Sequence, residues 1–312
     1  MRSIVLGGAG FIGSHLVDRL LERGDEVVAV DNLLTGRRES AERNRANARY
    51  GLLEHDICQP LPPLGRAEAV FNLASPASPA DYSRLPLETL EVGSAGTRNA
   101  LDLAKSCGAT LIHASTSEVY GDPLEHPQRE EYFGNVNPIG PRACYDEAKR
   151  FAEALVSTYA RVHGLPVRIA RIFNTYGPRM RADDGRVVPA FVTQALRGQD
   201  FTVFGDGTQT RSFCYVDDLV AGLIALAQRG DARPVNLGNP DEMTLIQFAE
   251  IIRKVVGKGG RVRSTRPLPE NDPKQRRPDI SRARTLLGWE PKVSLEQGLV
   301  PTVRWFKQEL GV

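Results

Sequence analysis

Short apolar runs alternate with longer segments of helical periodicity along the first half of the chain. The apolar runs are too short for helices and rich in Val and Ile, which is typical of strands buried on both faces of a sheet. These predicted strands cover residues 3–6, 26–30, 69–73, 110–114 and 167–172. The predicted helices cover residues 14–23, 87–106 and 145–163, each with a nearby glycine as a stop signal. The alternation predicts an α/β fold with a doubly wound parallel sheet of the Rossmann type.

The pattern becomes irregular after residue 174, where Gly, Pro and Arg are frequent. A helical pattern returns at 217–228, residues 235–237 predict one more strand of the sheet, and 245–256 predict another amphipathic helix. We therefore predict a Rossmann domain over residues 1–173 with a return at about 214–239. A smaller C-terminal lobe is predicted over 174–213 and 240–312. The four prolines of residues 267–278 predict a loop over a site or a surface connector.

Composition and charge exclude several classes of protein. Of the 312 residues, 41% are hydrophobic and 25% charged, which is ordinary for a globular chain and unlike collagen or disordered proteins. The formal net charge of +2 is too small for a dedicated nucleic-acid binder, although a small anionic ligand is compatible with it. The longest apolar stretch, residues 219–227, is far shorter than the about 20 residues of a membrane span. The N-terminus lacks a signal-peptide pattern, so we expect a cytoplasmic protein without membrane attachment.

The cysteines indicate neither disulfides nor a metal site. They lie far apart, with no C-x-x-C pair and no His at metal-ligand spacing. We expect reduced, mostly buried thiols and no metal. The four positions are Cys58, Cys107, Cys144 and Cys214.

A glycine-rich turn joins the first predicted strand to the first predicted helix. Gly7, Gly10 and Gly13 form a G-x-x-G-x-x-G pattern, which lets a backbone approach a pyrophosphate at the positive end of a helix. In isolation such a pattern is weak evidence, because glycine turns also have purely structural uses. Asp31 closes the second strand, where a carboxylate accepts hydrogen bonds from ribose hydroxyls and repels a 2′-phosphate. NAD is therefore favoured over NADP.

Two nearby arginines leave the cofactor preference partly open. Arg37 and Arg38 follow Asp31 closely enough to accommodate a 2′-phosphate. They are equally consistent with solvated surface charges.

Tyr145 and Lys149 open a predicted helix with a four-residue interval, which puts the phenol and the ammonium on one face. Lowering the pKa of a tyrosine from about 10 toward 7 requires roughly 4 kcal/mol of preferential stabilisation of the phenolate. Lys149 and an oxidised nicotinamide could supply it. A chance Y-x-x-x-K on an exposed helix is the alternative interpretation.

A third polar group follows the strand at 110–114. Thr116, Ser117 and Glu118 lie where the carboxyl edge of an open α/β sheet binds ligands. A turn or helix cap built from Ser and Thr is the structural alternative.

Long sequence runs resemble a known family. T-S-E-V-Y-G-D-P starts at Thr116, N-P-I-G-P-R at Asn137 and R-I-F-N-T-Y-G-P-R-M at Arg171. With residues 7–16, 31–32, 72–79 and 209–213, they resemble the extended short-chain dehydrogenase/reductases, and within them the UDP-glucuronate decarboxylases (UDP-xylose synthases). The resemblance spans nearly the whole chain. One departure is Gly93, where many members have Asn.

The resemblance implies NAD-dependent decarboxylation of UDP-glucuronate to UDP-xylose through a 4-keto intermediate, with NAD regenerated in each cycle. Tyr145 would remove the proton of the sugar 4-hydroxyl, and Lys149 would tune Tyr145 and hold the nicotinamide ribose. Thr116 would bond the same sugar oxygen, Glu118 would assist proton handling or position the sugar, and Ser117 would lie near the C5 carboxylate.

The resemblance also implies further contacts. Residues 1–173 would bind NAD, and the C-terminal lobe would bind the UDP-sugar. Arg211 would face the diphosphate, Arg276 the sugar acid, and Asn174 and Tyr159 are further substrate candidates. The roles of Arg179, Arg181 and Arg186 stay open between ligand contacts and solvated charges. Besides the glycine turn, Asp31, Tyr145 and Lys149, the implied cofactor neighbours are Phe11, Ile12, Asn32, Asp56, Ile57, Leu73, Ser75 and Thr175.

Members of this family commonly dimerise through two helices, so we predict a homodimer formed by residues 87–106 and 145–163. A UDP-sugar 4-epimerase is the second enzymatic hypothesis. The related 4,6-dehydratases have Asp where Ser117 stands, and Ser is too weak an acid to protonate a departing hydroxyl. A non-catalytic NAD-binding regulator is the third hypothesis.

Overall fold

A seven-stranded parallel sheet forms the centre of the protein, which we describe from a computed structural model covering residues 1–267 and 273–312. The strand order is β11-β6-β5-β4-β1-β2-β3, and every neighbouring pair is parallel. This confirms the doubly wound Rossmann sheet. The strands are β1 (Arg2–Leu6), β2 (Glu26–Asp31), β3 (Tyr50–Glu54), β4 (Ala69–Asn72), β5 (Thr110–Thr116), β6 (Val167–Ile172) and β11 (Pro234–Leu237).

The predicted strands, including the one at 235–237, are confirmed, but β3 was missed. It lies at the edge of the sheet, where it pairs with β2 alone. Its residues are half-buried or exposed, so it lacks the continuous apolar run that identifies a central strand.

Helices cover both faces of the sheet. On one face Leu16 and Val17 of α1 pack with Leu219 and Leu223 of α8, and on the other α5 and α6 pack over β4, β5 and β6. The helices are α1 (Phe11–Glu22), α2 (Arg38–Glu42), α3 (Pro79–Arg84), α4 (Pro86–Glu91), α5 (Thr97–Cys107), α6 (Ala143–His163), α7 (Val187–Leu196), α8 (Val216–Arg229), α9 (Leu245–Val256), α10 (Ser281–Leu287) and α11 (Leu295–Leu310).

The predicted helix at 87–106 is two α-helices joined by a π-helical turn at Val92–Gly96. Gly93 in this turn lies against α6, since a Cβ at Gly93 would come within 2.7 Å of the Ala148 Cβ. The π turn contains one residue more than an α-helical turn, and it brings the chain close to α6.

Outside the large sheet, the described residues form three two-stranded pairings. They are β7 (Thr175–Tyr176) with β10 (Cys214–Tyr215), β8 (Phe201–Phe204) with β13 (Val262–Arg266), and β9 (Thr210–Ser212) with β12 (Glu242–Thr244). Phe191, Phe213 and Phe248 pack in a core that is continuous with the α1 and α8 side of the sheet. Of the predicted loop at 267–278, residues 268–272 lie outside the described residues.

The described cysteines are all free, with Cys107 and Cys214 buried. Within residues 1–267 and 273–312, no three His, Cys, Asp or Glu side chains cluster as metal ligands would. In the same part of the chain, no helix combines the length and the apolar character needed to cross a membrane.

Candidate active site

The glycine turn lies at the carboxyl end of β1 and directly precedes α1. Gly7 has a φ of +81°, and a Cβ at Gly13 would lie 2.0 Å from the Gly7 carbonyl oxygen, so both positions require glycine. Gly10 precedes α1 without a side-chain cap, which leaves the first N–H groups of the helix available to a ligand. The turn therefore fits the pyrophosphate of a dinucleotide.

Asp31 ends β2 beside this turn and is 8% exposed. Its carboxylate accepts hydrogen bonds from the Ala9 and Leu33 N–H groups, each at 2.9 Å. Burial raises the pKa of Asp31, although these two bonds oppose the shift. The carboxylate borders a small cavity of about 110 Å³ beside the glycine turn. The predicted residues that line this cavity are Gly7, Gly10, Asp31, Asn32, Asp56, Ile57, Leu73 and Ser75.

The two arginines after Asp31 are held by carboxylates. Arg37 pairs with Glu309 of α11 and lies 5.5 Å from the ring centroid of Trp305, whereas Arg38 donates to Glu54 at 2.9 Å. Both guanidinium groups are thus already paired with carboxylates rather than free to bind a 2′-phosphate, which supports NAD over NADP.

A larger cleft of about 650 Å³ continues from the glycine turn along the carboxyl ends of β5 and β6. This volume is typical of a small-molecule site. The predicted residues that line it are Gly7, Gly10, Phe11, Ile12, Gly13, Leu73, Ser75, Thr116, Ser117, Glu118, Tyr145, Lys149, Asn174, Thr175, Arg211 and Arg276.

Tyr145 and Lys149 face this cleft from the first turns of α6. The Thr116 side chain lies beside the Tyr145 phenol and acts to lower its pKa, and the Lys149 Nζ donates to the Ala114 carbonyl at 2.9 Å. The Nζ lies 5.9 Å from the centre of the Tyr145 ring. The four-residue spacing thus places phenol and ammonium together.

Burial dominates the acidity of this pair. It raises the pKa of Tyr145 to about 12, despite the opposing hydrogen bond with Thr116, and lowers the pKa of Lys149 to about 8. Burial therefore favours the protonated form of the Tyr145 phenol.

Glu118 lies in a 3₁₀ turn, Ser117–Tyr120, that follows β5 directly. Its carboxylate accepts from Arg142 at 2.6 Å and from Arg276 at 3.0 Å. Burial works against ionisation, but Arg276 and Arg142 outweigh it and lower the pKa of Glu118. Glu118 is therefore a fixed carboxylate with no proton to donate.

Comparisons with known proteins agree with this geometry. Residues 3–238 match the NAD dependent epimerase/dehydratase family. The chain belongs to this family. NAD is accordingly the cofactor that the glycine turn and the Asp31 cavity fit.

Individual members of the epimerase/dehydratase family are similar over almost the whole chain. UDP-glucuronic acid decarboxylase 1 of Xenopus tropicalis is 52% identical over 99% of this chain and 73% of its own length, which confirms the resemblance to the decarboxylases. The structure of UDP-glucose 4-epimerase from Thermotoga maritima with UDP-glucose is 33% identical, with a TM-score of 0.90 over 99% of this chain and 100% of that one. UDP-glucuronic acid 4-epimerase from Bacillus cereus, solved as a Tyr-to-Phe mutant with UDP-4-deoxy-4-fluoro-glucuronic acid and NAD, is 29% identical with a TM-score of 0.89 over 99% and 100%.

The expected role of Arg276 toward the sugar acid stays a prediction. It borders the cleft but is 1% exposed, and its guanidinium donates to the carbonyls of Ser117 and Gly121 and to Glu118. In this structure Arg276 holds the 3₁₀ turn together. Thr116 contributes to the same turn by accepting the Glu118 N–H at 3.2 Å, so the structural role of a cap and a role in the site coexist.

The three arginines of uncertain role line the cleft as ion pairs. Arg181 makes a bidentate pair with Asp81 at 2.8 and 2.9 Å. Arg179 pairs with Asp18, and Arg186 with Asp184. Each of them is therefore held at the wall of the cleft by a carboxylate, and a contact with a ligand stays a prediction.

The structure does not bring Tyr159 to the cleft. Its hydroxyl donates to Asp102 of α5 at 3.1 Å, and its ring packs against His163. The reason is distance along α6, because 14 residues beyond Tyr145 correspond to about 21 Å of helix.

Sequence reasoning missed three neighbours of Tyr145. Tyr82 stacks on its ring, Arg142 holds Glu118, and Asp146 is a buried carboxyl beside it. Burial and the nearby Glu118 raise the pKa of Asp146 to about 7. Their proximity arises from tertiary packing, although Arg142 does end the N-P-I-G-P-R run that carries the resemblance.

Proposed function

We propose that this protein is an NAD-dependent UDP-glucuronate decarboxylase that produces UDP-xylose. The observation that carries the proposal is the convergence of Tyr145, Lys149 and the Thr116–Glu118 turn in a cleft continuous with the Asp31 cavity. About 52% identity to relatives named as UDP-glucuronic acid decarboxylases supports this substrate among those of the family.

Tyr145 acts as the base that takes the proton of the sugar 4-hydroxyl and later returns it. Thr116 shares the hydrogen bond at the phenol, and Lys149 stabilises its ionised form electrostatically. When bound, NAD supplies the acceptor that holds the C4 hydride during the cycle and a positive charge beside the phenol. Oxidation leaves a 4-keto group β to the C5 carboxylate, so the carbon–carbon bond breaks with loss of carbon dioxide. A proton from water then replaces the lost carboxylate at C5, and return of the hydride to C4 and of the Tyr145 proton to the 4-oxygen completes UDP-xylose.

Ser117 and Glu118 distinguish this chemistry from dehydration. Ser117 has no acidic proton for a departing hydroxyl, and Glu118 is ionised between Arg142 and Arg276. The turn therefore positions a sugar without supplying an acid. We assign Ser117 to the neighbourhood of the C5 carboxylate, and Asn174 and Arg211, which line the same cleft, to the UDP-sugar.

The test is incubation of the purified protein with UDP-glucuronate and NAD, followed by measurement of carbon dioxide and of the nucleotide product by mass. Release of one carbon dioxide per UDP-xylose is expected. A product of unchanged mass with no gas would instead identify a 4-epimerase, the alternative that the similarity to two 4-epimerase structures favours. UDP-glucose and UDP-galactose serve as parallel substrates, and absence of any turnover would favour a non-catalytic NAD-binding protein.

We also propose a homodimer and a division of labour between the two parts of the chain. Exposed apolar side chains on α4 and α6 support the dimer, with Leu87 75%, Leu90 42% and Phe151 51% exposed. Residues 1–173 and about 214–239 would bind NAD, and 174–213 with 240–312 would bind the UDP-sugar. The cytoplasmic location stays a prediction from the sequence.

A further inference from the structure

A second buried tyrosine lies directly on the ring of Tyr145. The rings of Tyr82 and Tyr145 are nearly parallel, with an interplanar angle of 12° and centroids 5.0 Å apart. Tyr82 is 4% exposed and Tyr145 7% exposed, so each ring shields one face of the other from water. Offset stacking of this kind contributes favourable energy beyond the buried area and restricts ring rotation.

The backbone that carries Tyr82 is held from several sides. Ser78 caps α3 by accepting the Asp81 N–H at 3.1 Å, and Arg181 clamps the Asp81 carboxylate from the loop before α7. On the other side, the Cys144 Sγ donates to the Tyr82 carbonyl at 3.7 Å. These contacts therefore fix the backbone of Tyr82 relative to α6.

The stack also joins Tyr145 to the carboxylate of the site. The Arg142 guanidinium lies 5.9 Å from the centre of the Tyr82 ring and donates to Glu118 at 2.6 Å. The Arg142 guanidinium thus lies between the Tyr82 ring and the Glu118 carboxylate beside the cleft.

We propose that Tyr82 is a positioning residue for Tyr145, holding the phenol of the base in one orientation and excluding water from one face of its ring. The inference deepens the proposed decarboxylation and rests on it for its kinetic readout. Tyr82→Leu should leave the Tyr145 phenol chemically unchanged. The Tyr145 ring should then be free to turn, and water should reach the face that Tyr82 covered. Tyr82→Phe keeps the ring and loses the hydroxyl alone.

The pH dependence of Tyr145 reports the loss of shielding. Water at the exposed face lowers the pKa of the phenol toward its ordinary value, because burial is what raises it. The charged groups that also face the phenol stay the same in both variants. They are Glu118 from the 3₁₀ turn, Arg186 from the loop before α7, and Asp146 and Lys149 from α6.

The experiment compares kcat, KM and the pH profile of kcat for the NAD-saturated wild type, Tyr82→Phe and Tyr82→Leu. For Tyr82→Leu we expect kcat to fall about 10- to 100-fold with KM changed less than about threefold, as misorientation of a reacting group predicts. The acid limb of kcat should move about 0.5–1 unit to lower pH. Tyr82→Phe should rescue both. Tyr50→Leu, which removes a ring from β3 at the far edge of the sheet, is the matched control for loss of packing.

A second measurement needs no substrate and therefore separates this proposal from the proposed function. Ultraviolet difference absorbance of phenolate, with Tyr145→Phe subtracted, gives the ionisation of Tyr145 in the wild-type and Tyr82→Leu backgrounds. If Tyr82→Leu does not fold, Tyr82→Met replaces it, because Met also lacks a ring, is similar in size to Leu and is flexible enough to fill the space. Unchanged ionisation and kcat in the leucine or methionine variant would overturn the proposal, as would a Tyr82→Phe variant as impaired as Tyr82→Leu.

Discussion

At the residue scale, the chemistry depends on a phenol whose surroundings keep it protonated until a ligand changes the local charge. Burial raises the pKa of Tyr145, while Lys149, hydrogen-bonded to the Ala114 carbonyl, is too deeply buried to hold its charge without cost. In the proposed mechanism, positive charge beside the phenol favours its ionised form.

Replacing Tyr145 by Phe removes the group that exchanges a proton with the sugar. We expect kcat for carbon dioxide release to fall about 10²- to 10⁴-fold, the usual contribution of a general base. NAD affinity, measured by quenching of tryptophan fluorescence, should change little, because Asp31 and the glycine turn are untouched. Tyr159→Phe, on the same helix but away from the cleft, is the matched control and should keep wild-type turnover. Equal activity of the Tyr145→Phe variant would contradict the assignment of the base.

The buried Lys149 should make the free energy of unfolding depend on pH. Its pKa is about 8 in the folded protein and 10.5 in the reference state, so the unfolded chain binds more protons between these values. The free energy of unfolding of the NAD-free protein therefore rises as pH increases through this window. Between about pH 8 and pH 10 the wild type should gain about 2 kcal/mol more than Lys149→Met in urea unfolding.

Lys105→Met, which alters an exposed lysine on α5, is the control and should follow the wild type. Parallel pH curves for the wild type and Lys149→Met would show that Lys149 does not pay a burial cost.

At the element scale, the π turn at Val92–Gly96 sets the spacing between α4, α5 and the helix that carries Tyr145 and Lys149. Gly93 contacts Ala148, which lies between those two residues on α6, and an added Cβ would meet the Ala148 Cβ at 2.7 Å and its carbonyl oxygen at 2.9 Å. In this structure, close packing against Ala148 therefore leaves no room for a side chain at position 93.

Gly93→Ala should force the π turn and α6 apart. We expect a loss of about 1–3 kcal/mol in the free energy of unfolding, as for other overpacked sites, together with a lower kcat. Ala148→Gly alone should cost about 1 kcal/mol through helix propensity. The double variant should lose less than the sum of the two, because the Cβ–Cβ clash is gone. Strict additivity in urea unfolding would show that the two positions do not contact each other.

At the scale of the whole molecule, the sheet and the C-terminal lobe share one hydrophobic core, and α11 reaches back to the cofactor side through the Arg37–Glu309 ion pair. The cleft is therefore bounded by parts of one packed body. The opposite face of the sheet is covered by α5 and α6, and large apolar side chains are exposed on α4 and α6.

The proposed homodimer makes these exposed side chains testable. Leu87→Glu combined with Phe151→Glu should shift the mass measured by analytical ultracentrifugation from dimer to monomer, because burying two unpaired carboxylates in an apolar interface is costly. Val300→Glu, at a 51% exposed position on α11, is the matched control and should stay dimeric. A wild-type monomer, or a double variant of unchanged mass, would contradict the proposed interface.

The sequence by itself determined what depends on residues close together along the chain. Burial on both faces gives central strands continuous apolar runs, the turn after β1 requires glycine for steric reasons, and a four-residue interval places Tyr145 and Lys149 on one helical face. The long motif runs also carried the family. Each of these features is repeated or complete within a short segment, so it can be recognised from the sequence without knowledge of the fold.

Only the tertiary structure decided which distant side chains meet. The bond from Arg276 to Glu118 joins positions 158 residues apart, Tyr82 reaches Tyr145 from another helix, and Tyr159 lies off the cleft although it shares α6 with the base. The tertiary structure alone also decided the edge strand β3 and the ion pairs of Arg179, Arg181 and Arg186. Such contacts arise from packing between segments far apart in the chain, and no local period or propensity encodes them.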